Sequence, residues 1–67
     1  MEFTLQDDYI ELIKVLKIVN LVASGGEAKL VVADGLVTVN GEVELRKRRK
    51  LRKGDVINFE GEEVTIV

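Results

Sequence analysis

Cysteine, histidine, proline and tryptophan are all missing from the sequence, and its only aromatic residues are Phe3, Tyr9 and Phe59. Without cysteine no disulfide can staple the chain, and a zinc staple lacks its usual ligands. A chain of 67 residues buries only about 60% of the surface that its unfolded form exposes, so the core must supply the stability. With 46% hydrophobic residues and so few rings, that core is aliphatic. The same absences bear on catalysis. Histidine, the usual general base near neutral pH, is not available, nor is a thiol nucleophile. Ser24 is the only serine, and the carboxylates are scattered through turns and helix faces. A non-enzyme is expected, with no cofactor and no bound metal. Apolar runs long enough to span a membrane do not occur, and the start Met-Glu-Phe-Thr followed by acids does not read as a signal peptide. A cytoplasmic address is the expectation.

What the sequence has in excess is charge, unevenly placed. Twelve carboxylates face ten cations, for a net charge of -2. Seven of the ten cations lie in the eight positions from Arg46 to Lys53, which leaves the other 59 residues with three cations and twelve acids, a net of -9. Folding rarely needs so sharp a split. It suits a surface that meets a polyanion on one side and avoids contacts elsewhere.

The patterning predicts one domain over residues 1–67 of α+β class. Phe3 and Leu5 alternate with polar residues as in a short strand. From about Asp8 to Val19 the spacing is helical, with Tyr9, Leu12, Ile13, Leu16 and Val19 on one arc. Asp7, Asp8 and Glu11 are expected at the positive end of that helix dipole. Ile10, Val15 and Ile18 fall off the arc and are expected to meet strands, a tail or a partner. Ser24 and Glu27 form the capping-box pattern for a second helix, which Gly35 would end. Asn40-Gly41 is a strong hairpin signal, and Glu60-Gly61 joins two further strand-like runs. The expected order is β-α-α-β-β-β-β, two N-terminal helices packed on a small curled antiparallel sheet.

Three stretches carry candidate chemistry. The run Arg46, Lys47, Arg48, Arg49, Lys50, Leu51, Arg52, Lys53 cannot bury alternate members as an ordinary strand would. Leu51 alone can anchor it, and the cations are expected to fan along an extended arm or loop. Arginine forks bind phosphate oxygens in pairs, and lysine adds a mobile point charge. At Ser24, Gly25 and Gly26 small residues leave the backbone N–H groups of a helix start uncovered, where the dipole favours an anion. Lys29 lies one turn beyond on the same side. This is not a P-loop, whose spacing is missing. Asn40 belongs first to its hairpin, whose value is to aim the basic arm.

These motifs together resemble the S-four-type RNA-binding domain, the αL motif named for a small-subunit ribosomal protein, and above all its short stand-alone bacterial subfamily. Ser24, Gly25, Gly26, Ala28 and Lys29 match the first family motif. Gly35, Val37, Val39, Asn40 and Gly41 match the second, and Arg46, Lys47, Lys50, Leu51, Gly54 and Asp55 the third. The resemblance covers most of the chain. It implies that the second helix, the hairpin and the basic segment form one RNA-facing surface that grips RNA without chemistry. Two positions depart from the family pattern. Helix 1 begins with acids where many members have a basic residue, and Gly25 stands where many have arginine. Both departures shift the expected contacts toward Lys29 and the 46–53 segment.

Stacking on single-stranded bases needs exposed aromatics, and all three rings look core-bound by pattern. The expectation is therefore backbone and shape recognition of structured RNA, ribosomal or transfer RNA, plausibly within a ribosomal particle, by a monomer. The expected contact residues are Ser24, Gly25, Gly26, Lys29, Asn40, Arg46, Lys47, Arg48, Arg49, Lys50, Arg52 and Lys53. No membrane and no small-molecule substrate is expected. The alternative is a protein-interaction adaptor, its basic arm docked on an acidic partner and Ile10, Val15 and Ile18 forming an apolar contact.

Overall fold

A computed structural model describes residues 1–67. Its elements are β1 (Glu2–Phe3), β2 (Ile10–Glu11), α1 (Leu12–Ile18), α2 (Gly25–Ala33), β3 (Val37–Val39), β4 (Glu42–Val43), β5 (Lys50–Leu51), β6 (Val56–Phe59) and β7 (Glu62–Ile66). Five strands form one sheet in the order β1-β7-β6-β3-β4, while β2 and β5 pair apart from it as a short antiparallel ladder. The fold is α+β, as the patterning predicts, but the main sheet is mixed rather than antiparallel. β1 runs parallel to β7, with Glu2 opposite Thr65 and Phe3 opposite Ile66. Alternation reports which face of a strand is buried and says nothing of its direction. The terminal strand takes the open edge of β7, where Leu5 N–H donates to the Val67 carbonyl and Val67 N–H to that of Phe3.

Turn chemistry sets the register of the rest. Asn40 and Gly41 have φ of 53° and 85°, the two positive values that a type I′ turn requires, and they place Val39 opposite Glu42. Glu60 and Gly61, at 52° and 81°, do the same for Phe59 and Glu62. On β6 and β7 the inward positions Ile57, Phe59, Val64 and Ile66 are buried, and Val37 and Val39 join them from β3. Leu12, Val15, Leu16, Ala28 and Val32 supply the helical side of the same aliphatic core.

Helix 1 departs from expectation at its start. It begins at Leu12 rather than near Asp8, because Ile10 and Glu11 are drawn into pairing with Leu51 and Lys50. Asp7 and Asp8 therefore precede the ladder and do not sit in the helix's first turn, which holds no acid. Its free amides find backbone acceptors instead: Leu12 N–H donates to the Arg49 carbonyl and Ile13 N–H to that of Lys47. The shorter helix also rotates the burial. Val15 is fully buried, Ile10 packs at the core edge, Ile18 is exposed, and Tyr9, placed on the buried arc by the wheel, is 41% exposed.

Candidate functional site

The basic segment is not a free arm. Leu51 is fully buried, β5 is stitched to β2, and the carbonyls of Lys47 and Arg49 cap helix 1. Arg49 N–H closes a turn on the Arg46 carbonyl. Each backbone tie spends a peptide group and leaves a side chain pointing outward, so a run with no apolar alternation is held in shape by its main chain. At its C-terminal end, Asp55 accepts the Arg52 N–H at 2.8 Å and the Asn40 side-chain amide at 3.0 Å. Asn40 Oδ1 in turn accepts the Val56 N–H at 2.9 Å. The β3–β4 turn is thereby fastened to the end of the basic run. Burial pushes the Asp55 carboxyl up, but the hydrogen bonds from Arg52 and Asn40 and the charges of Arg49 and Arg52 prevail, and it lies below the usual aspartate range.

Inside the segment sits one buried carboxylate. Glu44 is 6% exposed, and its two oxygens accept four hydrogen bonds. Oε2 takes the Arg46 backbone N–H at 2.9 Å and Arg46 Nε at 3.0 Å, while Oε1 takes Arg46 Nη2 at 3.0 Å and Arg49 Nη1 at 2.8 Å. The Arg46 fork above all holds the Glu44 carboxyl down at about 2, against the penalty of burial. The same contact raises Arg46. Arg46 and Arg49 thus share one negative charge from below, which offsets one of the seven positive charges. Lys47, Arg48 and Lys53 are exposed and make no ion pair within the chain. Arg46, Arg48, Arg49 and Lys50 enclose a shallow depression of about 450 Å³ with no other residue in its wall.

Tyr9 lies beside this segment. Lys50 Nζ stands 4.8 Å from the ring centroid and Arg52 Cζ 5.8 Å. Sequence reasoning missed Glu44, one acid among twelve, whose partners are set by a turn the pattern does not show. It missed the exposure of Tyr9 for a more avoidable reason. In Tyr9-Ile10-Glu11-Leu12 a two-residue period puts Ile10 and Leu12 inward and Tyr9 outward, and the ladder realises that period.

The helix 2 start is held by its own cap. Ser24 Oγ accepts the Glu27 N–H at 3.1 Å, and the Glu27 carboxylate returns to the Ala23 N–H. The capping box is thus closed one residue earlier than the usual pattern, which returns to the cap residue itself. The amides of Gly25 and Gly26 have no acceptor in the chain, and a Cβ on Gly25 would meet nothing within 4 Å. Lys29 is exposed and makes no side-chain contact with the 46–53 segment. The basic run caps the first residues of helix 1, whereas helix 2 follows its last ones.

No group of three or more histidine, cysteine, aspartate or glutamate side chains is placed to hold a metal ion, and no helix is long and apolar enough to cross a membrane. Comparison with known proteins gives the surface its context. Residues 3–67 match the family model described as S4 domain. YbcJ of Escherichia coli (strain K12) is 41% identical over 59 residues, which is 88% of this chain and 84% of YbcJ. Its solution structure, described as an αL motif involved in RNA binding, superposes with a TM-score of 0.76 over 98% of this chain and 85% of YbcJ. RlbA of Bacillus subtilis (strain 168), named a probable ribosome maturation protein, is 38% identical over 87% of this chain and 82% of its own length. The 30S ribosomal protein S4e of Thermoplasma acidophilum shares 29% identity with a TM-score of 0.71, over 87% of this chain and 31% of that protein. With nearly its whole length matched, the chain belongs to the S4 domain family, an αL RNA-binding domain without a catalytic motif.

Proposed function

We propose that the protein is a non-catalytic module that grips structured ribosomal RNA as a monomer in the cytoplasm. The observation that carries this reading is the depression walled only by Arg46, Arg48, Arg49 and Lys50. A concavity lined by one sign of charge on a protein of net charge -2 concentrates a polyanion there. Lys47, Arg52 and Lys53 are exposed and add positive charge to the same segment. Arginine forks take phosphate oxygens in pairs. The uncovered amides of Gly25 and Gly26, with Ser24 and Lys29, form a second anion anchor, on a neighbouring stretch of the RNA backbone. Asn40 acts through Asp55, holding the end of the segment in place. Transfer RNA is the less favoured target, since the names of RlbA and of protein S4e both point to the ribosome.

The test is fluorescence anisotropy with a ribosomal RNA hairpin, a DNA hairpin of the same sequence and a polyglutamate peptide. With about four phosphate contacts, RNA affinity is expected to fall roughly 50-fold between 50 and 200 mM salt. RNA should bind better than DNA, whose B-form geometry lacks the 2′-hydroxyls and the wide minor groove. Equal binding of RNA and DNA overturns shape recognition. Binding of the acidic peptide alone makes the surface a protein-docking site, though Val15 is now in the core and only Ile18 of the proposed apolar contact remains fully exposed.

A further inference from the structure

Tyr9 is the one ring that the fold leaves outside. Phe59 is buried and Phe3 packs against the core, whereas Tyr9 belongs neither to the core nor to the residues packed on it. Continuing the Ile10–Leu51 and Glu11–Lys50 register by one step sets Tyr9 directly across from Arg52. Tyr9, Lys50 and Arg52 therefore emerge on the outward face of the ladder, while Ile10 and Leu51 turn inward. Arg52 is fixed there by donating from Nη1 to the Asp8 carbonyl at 3.3 Å and from its backbone N–H to Asp55. An exposed ring gripped by two cations contributes little to folding, yet this is the arrangement that accepts a nucleotide: a flat π-face with positive charge at its rim.

We propose that Tyr9 is a stacking platform for one unpaired base of the bound RNA, with Lys50 and Arg52 holding the phosphates of that nucleotide. The inference rests on the RNA-binding reading above and deepens it: the target is a structured RNA with an unpaired residue next to a helix, rather than a continuous duplex. The charge of a neighbouring groove sets the polarity. An open groove of about 790 Å³ runs beside the ring, and its wall includes Asp7, Asp8 and Glu11 as well as Lys14 and Lys53. Three carboxylates to two lysines repel phosphate, so the groove receives the base and the sugar-phosphate stays on the Lys50 and Arg52 side. The size suffices for one nucleotide. Strength decides the competition for the ring. An exposed cation–π contact shifts an equilibrium about two- to fivefold, whereas stacking of a base on an aromatic side chain is worth about 5- to 100-fold. The base displaces the lysine from the ring, and the lysine swings onto phosphate.

The molecule carries its own reporter, because Tyr9 is the only tyrosine and tryptophan is absent. Intrinsic emission is read while titrating with a ribosomal RNA hairpin bearing an unpaired loop, and with the same stem as a blunt duplex. The hairpin is expected to quench Tyr9 and the duplex to leave it nearly unchanged. Tyr9→Leu should weaken hairpin binding about tenfold and leave duplex binding alone, while Tyr9→Phe retains most of the affinity. Arg48→Glu should weaken both RNAs. Hairpin affinity unaltered by Tyr9→Leu, or equal quenching by duplex and hairpin, overturns the platform while leaving the basic site standing. Failure of both RNAs to bind the parent protein overturns both readings together. Tyr9 is 41% exposed, so the leucine variant should melt near the parent; should it not fold, the quenching comparison on the parent protein decides.

Discussion

Glu44 decides how much of the positive charge is free. It is a carboxylate set beneath a cationic run, and its four hydrogen bonds hold Arg46 and Arg49 in one geometry. Its pKa is depressed from the ordinary 4.5 to about 2. The unfolded chain therefore takes up the proton first, so the contribution to stability is complete above about pH 4.5 and is lost as pH falls toward 2. The Arg46 side chain is 73% exposed, and solvent screening reduces the contribution to about 1 kcal/mol. Glu44→Gln should cost about that much at pH 7, and urea denaturation should show its deficit against the parent shrinking by pH 2.5. A deficit equal at both pH values would mean that the carboxylate charge does not matter to the fold. None of this was visible in the sequence, where Glu44 looks like any strand acid. Asn40 was half visible: its turn required a positive φ, but the tie from its side chain to Asp55 joins residues fifteen positions apart and leaves no local mark.

At the scale of elements, what the sequence revealed were the features decided within a few residues. The two hairpins appear where Asn40-Gly41 and Glu60-Gly61 place them, and helix 2 starts under Ser24 as its cap predicts. What stayed hidden were the features decided by distant partners. The two-residue strand at Ile10–Glu11 exists only because Lys50–Leu51 lies alongside, and that pairing shortens helix 1 from the front. Helix 2 has no such tertiary help for its first amides, so its cap should be measurable. Ser24→Ala removes the acceptor of the Glu27 N–H and should cost about 1 kcal/mol. A lower melting temperature is expected. An unaltered melting temperature would show that water satisfies the Glu27 amide as well as the serine does.

Across the whole molecule the division of charge has a spatial form. The basic segment runs into β6 through Gly54-Asp55, whereas Glu62 and Glu63, just after the Glu60-Gly61 turn, lie beside Phe59 and Asn58 in the far half of that strand. Two to three strand steps and one strand spacing put these acids about 8–11 Å from the start of β6, comparable with the screening length of about 10 Å at 0.1 M salt and well within the 30 Å reached at 0.01 M. The acids at that pole therefore act on nucleic acid most strongly when salt is low, and they act by repulsion, against any chain that extends past the basic surface. A long uniform duplex suffers this more than a compact folded RNA. Both glutamates are exposed and neither is in an ion pair, so Glu62→Gln with Glu63→Gln raises the net charge from -2 to 0 without touching the fold. Each charge pair about 20 Å apart contributes about 0.2 kcal/mol in water. Summed over the nearby phosphates, the double variant should bind a DNA duplex roughly threefold tighter at 0.01 M salt. Its affinity for the RNA hairpin should change less, and by 0.2 M the difference on DNA should vanish. Anisotropy titrations of parent and variant at the two salt concentrations read this directly. A variant that gains equally on RNA and DNA at both concentrations would show that the acidic pole has no part in selectivity, which would then rest wholly on the shape of the basic surface.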